Sequence, residues 1–220
     1  MGKENILTER QQEILAALGR MPSIRKHFYL SGGTALAAYY LQHRFSEDLD
    51  FFSEEEVDTP AVFTALRSLP KSIGIKNIDL EQSFNRNLFF LHLKGEVIKT
   101  EFTYYPFPRI ETGLTKSGVS VDSLIDIATN KLFTIYQKPR ARDFIDLYLI
   151  LKKKDFSLAE LIKKAKVKFD WHVDPLQLGA QFHLATEVKD YPRMIEKIDQ
   201  NEWQKYFLDE AKKLEKQIAR

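Results

Sequence analysis

Residues Ser31–Phe52, SGGTALAAYYLQHRFSEDLDFF, decide the fold, because a glycine pair, a helical segment and two closely spaced aspartates follow one another there. Immediately before this stretch, Phe28–Leu30 is an apolar run short enough for a buried strand. The glycines let backbone N–H groups approach a ligand, and a helix predicted from Thr34 to about His43 would point those groups at a phosphate. An ordinary strand-to-helix turn is the alternative.

The two aspartates fit a strand that carries chemistry on one face. Asp48 and Asp50 alternate with Leu49 and Phe51, so the apolar side chains face a core and the carboxylates share the other face. Carboxylates about 7 Å apart along a strand repel each other unless a cation lies between them. An isolated pair at this spacing would more simply be solvated surface charge. Mg²⁺ is typically held by one or two carboxylates plus substrate phosphates, so next to the strand, glycine turn and helix the pair favours magnesium.

Composition sets wide limits on the function. The chain has 220 residues, of which 44% are hydrophobic and 29% charged, and its net charge is +2. This composition is typical of a globular protein with a sizeable core, and the near balance of charge argues against a surface that is basic throughout. With no cysteine, disulfides and thiolate metal sites are excluded. We expect a cytoplasmic protein with no membrane partner, because no apolar run approaches the length of a membrane span.

The second half of the chain changes from alternating to helical patterns. Strands are predicted over Ile78–Phe84, Asn87–Lys94 and Val97–Tyr104, as a meander that extends the first sheet. Proline and glycine then mark a junction, which divides the chain into a sheet lobe, residues 1–118, and a helical lobe, residues 119–220.

Charged residues lie on predicted helices of this second lobe. Lys131 falls on an apolar stripe, so its ammonium must either extend to solvent or meet an anion. Asp143 and Asp146 are three apart on the next helix and project from one face. Seven lysines could give the lobe a basic surface for a nucleic acid: Lys152, Lys153, Lys154, Lys163, Lys164, Lys166 and Lys168.

Three of these motifs, in this order, resemble the AbiEii-type toxin nucleotidyltransferases, a branch of the polymerase-β-like superfamily. They are the run GGTALAAYYLQHRFSEDLDFF, the lysine of DIATNKLFTIY, and the segment RARDFIDL at residues 140–147. The likeness covers roughly Tyr29 to Leu151. It implies an α+β fold with a mixed, mostly antiparallel polymerase-β-like sheet lobe and a helical C-terminal lobe.

The resemblance also implies roles for particular residues. Asp48 and Asp50 would hold two Mg²⁺ ions, with Glu101 as third ligand unless it forms a cross-strand pair instead. Lys131 and Asp146 would complete the catalytic set, while Asp143 could be a helix cap or an arginine partner. The nucleotide would be bound by Ser31, Gly32, Gly33, Thr34 and Arg44.

The implied activity is transfer of a nucleotide from an NTP to an acceptor, with tRNA the expected acceptor. In this interpretation the protein is the toxin of a toxin–antitoxin or phage-defence pair, and a cognate antitoxin is an expected partner. Two alternatives stay open. One is a nucleotidyltransferase that acts on a small molecule such as an antibiotic, or on a protein. The other is an inactive nucleotide-binding regulatory module.

Overall fold

The computed structural model describes residues 6–218. The chain divides between Ser123 and Leu124 into two compact units. The first unit contains α1 (Glu9–Leu18), α2 (Pro22–His27), β1 (Tyr29–Leu30), α3 (Gly32–Leu36), β2 (Leu49–Ser53), α4 (Thr59–Arg67), β3 (Asn77–Ser83), β4 (Arg86–His92), β5 (Val97–Tyr104), β6 (Thr115–Lys116) and β7 (Val119–Val121). A π-helical turn, Ala37–Leu41, continues α3, and a 3₁₀ turn, Lys71–Ile73, follows α4.

The strands form one seven-stranded sheet in the order β3-β4-β5-β2-β1-β7-β6. Pairing is antiparallel between β1 and β2, β3 and β4, β4 and β5, and β6 and β7, whereas β1 with β7 and β2 with β5 are parallel. The predicted mixed, mostly antiparallel sheet is confirmed, and so are the three strands of the meander. β4 ends at His92, somewhat before the predicted Lys94.

Aromatic packing fixes the register of the central strands. Phe51 of β2 and Phe102 of β5 are register partners, and their rings stack with centroids 4.8 Å apart. Phe89 of β4 meets Phe102 edge to face at 5.8 Å. All three side chains are fully buried, so a slip of one residue would turn this apolar set out of the core. The same packing therefore fixes which residues of β2 and β5 lie on the opposite face.

The helix after β1 differs from the predicted one. It begins at Gly32 rather than Thr34, and its regular turns give way to π-helical geometry at Ala37. It ends at Gln42, which adopts a left-handed conformation with φ of 55°. π-Helical turns widen a helix by one residue and are frequent near functional sites.

The second unit is built from helices. They are α5 (Leu124–Gln137), α6 (Ala141–Lys153), α7 (Leu158–Phe169), α8 (Pro175–His183) and α9 (Gln200–Ile218), with a 3₁₀ turn at Leu184–Thr186. The tail is predicted to be helical to Arg220, which lies outside the described residues. Packing of α5 against α6, α7 and α8, and of α8 against α9, forms the core of this unit. Within residues 6–218, no helix combines the length and apolar character needed to cross a bilayer.

Two features of the second half differ from expectation. β7 pairs with β1, so it belongs to the first unit, whereas a boundary after Gly118 would separate it from its partner strand. Lys168 is not part of a basic surface. Its side chain is fully buried, because it lies with Leu161 and Ala165 on the inward stripe of α7. The basic surface predicted for this lobe therefore has one lysine fewer.

Candidate active site

The face of β2 that carries the aspartates is organised as the alternation predicts. Leu49 and Phe51 are fully buried, whereas Asp48 and Asp50 are only half-buried. Asp48 directly precedes the strand and keeps 40% of its side chain exposed. The two carboxylates therefore stand on the face opposite the aromatic core.

The glycine pair makes room for side chains of this same site. Gly32 has φ of +71°, and a Cβ there would lie 2.9 Å from Oδ2 of Asp50. A Cβ on Gly33 would lie 2.3 Å from Nη2 of the buried Arg44. The two glycines thus leave room for the close approach of a carboxylate and of a guanidinium.

Hydroxyl groups tie the glycine turn to its neighbours. The Thr34 hydroxyl donates to the carbonyl of Asp48 and lies 2.8 Å from the Ser46 hydroxyl. Ser31 donates its N–H to the carbonyl of Asp50 at 2.9 Å and its hydroxyl to Oδ2 of Asp122 at 2.7 Å. In this conformation Ser31 braces the turn. Asp122 is thus a partner of this turn to which the sequence pattern assigned no role in the site.

Glu101 lies on the same face of the sheet as the aspartates, since it is the register partner of Asp50. Its carboxylate accepts two hydrogen bonds from Arg86, from Nε at 2.6 Å and from Nη2 at 2.5 Å, and a third from Thr103 at 2.7 Å. Burial alone would raise the pKa of Glu101, but these hydrogen bonds and the charge of Arg86 outweigh it and lower the pKa. The structure thus shows Glu101 as an ionised partner in a cross-strand pair.

Asp48 also has a cationic partner. Nζ of Lys99 lies 2.8 Å from Oδ2 of Asp48, with 28% of the lysine side chain exposed. Alternation along the third strand of the meander places Lys99 beside Glu101, yet the sequence analysis assigned it no role. The register of β2 and β5 was the missing information.

The aspartates suit a magnesium ion that arrives with a nucleotide. Within residues 6–218, no group of three or more His, Asp or Glu side chains is arranged to hold a metal ion. Asp48 and Asp50 nevertheless offer hard oxygen ligands on one face, and Mg²⁺ commonly takes only one or two carboxylates and completes its shell with phosphates and water. The residues present therefore fit a nucleotide-bound Mg²⁺ better than an ion held by the protein alone.

The predicted charged residues of the second unit also form a cluster. Nζ of Lys131 on α5 lies 2.7 Å from Oδ1 of Asp143 and 2.8 Å from Oδ2 of Asp146, both on α6. The carboxylates are fully buried, and the Lys131 side chain is 10% exposed. The anion that a lysine on an apolar stripe requires is therefore supplied by both aspartates.

Asp143 holds two cations at once. Its Oδ2 accepts a hydrogen bond of 2.8 Å from Nε of Arg140, in addition to the contact with Lys131. Burial would raise the pKa of Asp143, but the charges of Lys131 and Arg140 dominate together and lower it. The expectation that Asp143 could partner an arginine is confirmed.

The mixed sheet, the glycine turn and the paired aspartates all lie in the first unit. Residues 14–216 match the family model described as the nucleotidyl transferase AbiEii toxin of type IV toxin–antitoxin systems. The chain belongs to the AbiEii nucleotidyltransferase toxin family. The predicted family, the α+β fold class and the enzyme class are thereby confirmed, and the protein is a nucleotidyltransferase of a toxin–antitoxin system.

A relative and two solved structures resemble the chain over most of its length. The uncharacterised protein aq_aa25 of Aquifex aeolicus (strain VF5) is 33% identical over 165 residues, which are 74% of this chain and 76% of that protein. The crystal structure of JHP933 from Helicobacter pylori matches with a TM-score of 0.62 and 24% identity, over 96% of this chain and 93% of that one. A second H. pylori structure, provisionally described as a nucleotidyltransferase, matches at 0.62 and 22% over 97% and 98% of the two chains. These two structures share the fold.

Proposed function

We propose that this toxin uses Mg²⁺ to transfer a nucleotide from an NTP to tRNA, and that Asp48 and Asp50 are its metal ligands. The proposal rests on the arrangement of the β2 face. Both carboxylates lie on it, and because Gly32 has no side chain, the backbone of the glycine turn lies directly beside Asp50. tRNA is the acceptor that the family resemblance implies. Modification of tRNA would halt translation in the cytoplasm, which accounts for toxicity and suits phage defence.

In this proposal the residues of the first unit position the triphosphate. Gly32, Gly33 and Thr34 would present backbone groups to it, with Ser31 bracing their turn, and the buried guanidinium of Arg44 would add positive charge. Bound Mg²⁺ would activate the acceptor hydroxyl and stabilise the leaving pyrophosphate. Glu101 would serve as a further ligand only after releasing Arg86. Positioning of the reacting groups and stabilisation of the phosphate charge would then provide most of the rate enhancement.

The proposal includes Lys131 and Asp146 as residues on which transfer depends. Support comes from the resemblance and from the contacts of the Lys131 ammonium with two buried carboxylates. Asp143 would hold the same ammonium from the other side.

The test is incubation of the purified protein with each α-³²P-labelled NTP and total RNA, followed by mapping of labelled species. We expect label in tRNA, dependence on added Mg²⁺ after treatment with EDTA, and loss of transfer in Asp48→Ala and Asp50→Ala. Glu47→Ala, an exposed neighbour, is the matched control and should retain transfer. Growth inhibition should follow transfer and be relieved by the cognate antitoxin. Full transfer by Asp48→Ala would refute the metal assignment, and label only in protein would refute the acceptor.

A further inference from the structure

Carboxylates of the β2–β5 face already have cations of the protein beside them. Lys99 contacts Asp48 at 2.8 Å, and Arg86 holds Glu101 with two hydrogen bonds. The parallel register produces the first pair. Leu49 is the partner of Thr100, so the preceding residues, Asp48 and Lys99, lie side by side on the same face.

The two pairs differ in how tightly they are held. Glu101 is buried and is gripped by the Arg86 fork and by Thr103. The Lys99–Asp48 pair is partly exposed on both sides, with a single contact joining the two charged groups. A partly exposed pair of this kind contributes little to stability, so it can open for a ligand that binds modestly better. Of the two, Lys99 is the cation that can be displaced.

We propose that Lys99 is a positioning residue that occupies the metal-binding carboxylate of the nucleotide-free enzyme and then turns to the triphosphate. The proposal rests on the proposed function, because it takes Asp48 as a metal ligand. An ammonium and Mg²⁺ cannot share one carboxylate oxygen without strong repulsion. A free metal ion that takes this oxygen must therefore displace Lys99, which then loses its contact with Asp48.

A metal ion that arrives on a nucleotide changes this balance. When Asp48 binds the metal, Lys99 is displaced. The negatively charged triphosphate then gives the ammonium of Lys99 a new partner. Lys99 thereby weakens binding of free metal and favours binding of metal together with NTP. This makes the two ligands cooperative, in the sense that each raises the affinity for the other.

The test uses Mn²⁺ alone as the probe, measured by electron paramagnetic resonance or calorimetry on the nucleotide-free protein. Lys99→Met should bind Mn²⁺ about two- to fivefold more tightly than the wild type, as expected when one partly exposed ion pair no longer competes. Its KM for the transferred NTP should rise by a similar factor, because the phosphate contact is lost. Lys99→Arg should behave like the wild type in both measurements. Lys94→Met, in the exposed turn between β4 and β5, is the matched control and should change neither.

In Lys99→Met, tighter Mn²⁺ binding together with a raised KM for the NTP distinguishes the proposed role of Lys99 from a purely structural one. Unchanged Mn²⁺ affinity in folded Lys99→Met would overturn the proposal, because Lys99 would then form only a surface ion pair. Weaker Mn²⁺ binding together with a raised KM would also overturn it, because Lys99 would then be a structural support for Asp48. Circular dichroism and thermal unfolding establish that each variant is folded. A wild type that transfers nucleotide normally while Lys99→Met shows no shift refutes this inference alone. A wild type that neither binds Mn²⁺ nor transfers nucleotide refutes the proposed function and this inference with it.

Discussion

Asp50 of β2 is the register partner of Glu101 of β5, so the parallel pairing of these strands brings two carboxylates to one place. The guanidinium of Arg86 stabilises the arrangement, because it keeps Glu101 ionised by hydrogen bonds from two of its nitrogens. A buried carboxylate beside others is costly without such a partner. Arg86 is thus the residue that makes a strongly acidic sheet face compatible with a stable fold.

Replacement of this arginine should therefore destabilise the protein in a pH-dependent manner. Arg86→Met should lower the free energy of unfolding by about 1–3 kcal/mol at pH 7, since it leaves Glu101 buried without its charge partner. The pKa of Glu101 is lowered in the folded state, so the pair stabilises the protein at pH values above the ordinary glutamate pKa of about 4.3. This stabilisation is lost as the pH falls through the lowered pKa of the folded state. Urea unfolding at pH 7 and at pH 3.5 measures this. Arg142→Met, an exposed arginine of α6, is the control. An equal loss at both pH values would contradict the prediction.

Alanine at either glycine of the turn should reduce transfer for a geometric reason. In Gly32→Ala the new Cβ would approach Oδ2 of Asp50 to 2.9 Å, and in Gly33→Ala it would meet Nη2 of Arg44 at 2.3 Å. Gly74→Ala is the control that separates this steric effect from backbone strain. Gly74 also has a positive φ, +82°, but an added Cβ there would meet no atom within 4 Å. We expect Gly74→Ala and Gly32→Ala each to lose about 1 kcal/mol of stability from the left-handed conformation. Only the variants at Gly32 and Gly33 should lose transfer; loss in Gly74→Ala to the same extent would refute the geometric account.

Alternation was sufficient to predict the acidic face, but not the partners of its residues. Period-two patterns gave the sheet strands and placed Asp48 and Asp50 opposite Leu49 and Phe51, because burial of one face fixes that pattern locally. Lys99 acquires its partner only through the parallel register of two strands far apart in the chain. Tertiary pairing of this kind leaves no local signal. The π-helical turn after α3 likewise depends on one extra residue that helical propensity does not register.

Removal of the ammonium that joins α5 to α6 should destabilise the protein more than loss of a surface pair. Lys131→Met leaves Asp143 and Asp146 buried near each other, so we expect the free energy of unfolding to fall by about 3–5 kcal/mol. The triple variant Lys131→Met, Asp143→Asn, Asp146→Asn removes the charges together and should recover part of that loss. Chemical denaturation measures stability, and transfer is assayed well below the unfolding midpoint. A Lys131→Met protein within about 0.5 kcal/mol of the wild type would contradict the buried-pair account.

The spacing of apolar residues places Lys131 on a buried stripe of α5, and the same spacing places Lys168 on a buried stripe of α7. On α7, Leu161, Ala165 and Lys168 recur at helical intervals, so the stripe includes the lysine and carries it inward. Counting lysines along the sequence therefore overestimates the basic surface. Lys152 and Lys153 reduce it further, because they pair with Glu202 and Glu196.

The buried ion pair of Lys168 and Asp126 should be as sensitive to substitution as the contacts of Lys131. Nζ of Lys168 lies 2.6 Å from Oδ1 of Asp126, and both side chains are completely buried. Lys168→Met alone takes the ammonium away from a buried carboxylate and should lower the free energy of unfolding by about 3–5 kcal/mol. The double variant Lys168→Met, Asp126→Leu removes both charges and should be close to the wild type in stability or more stable. Lys166→Met, exposed on the same helix, is the matched control and should change stability by less than about 0.5 kcal/mol. If the double variant were as unstable as Lys168→Met, packing rather than charge would be the source of the loss, and the account of this pair would be wrong.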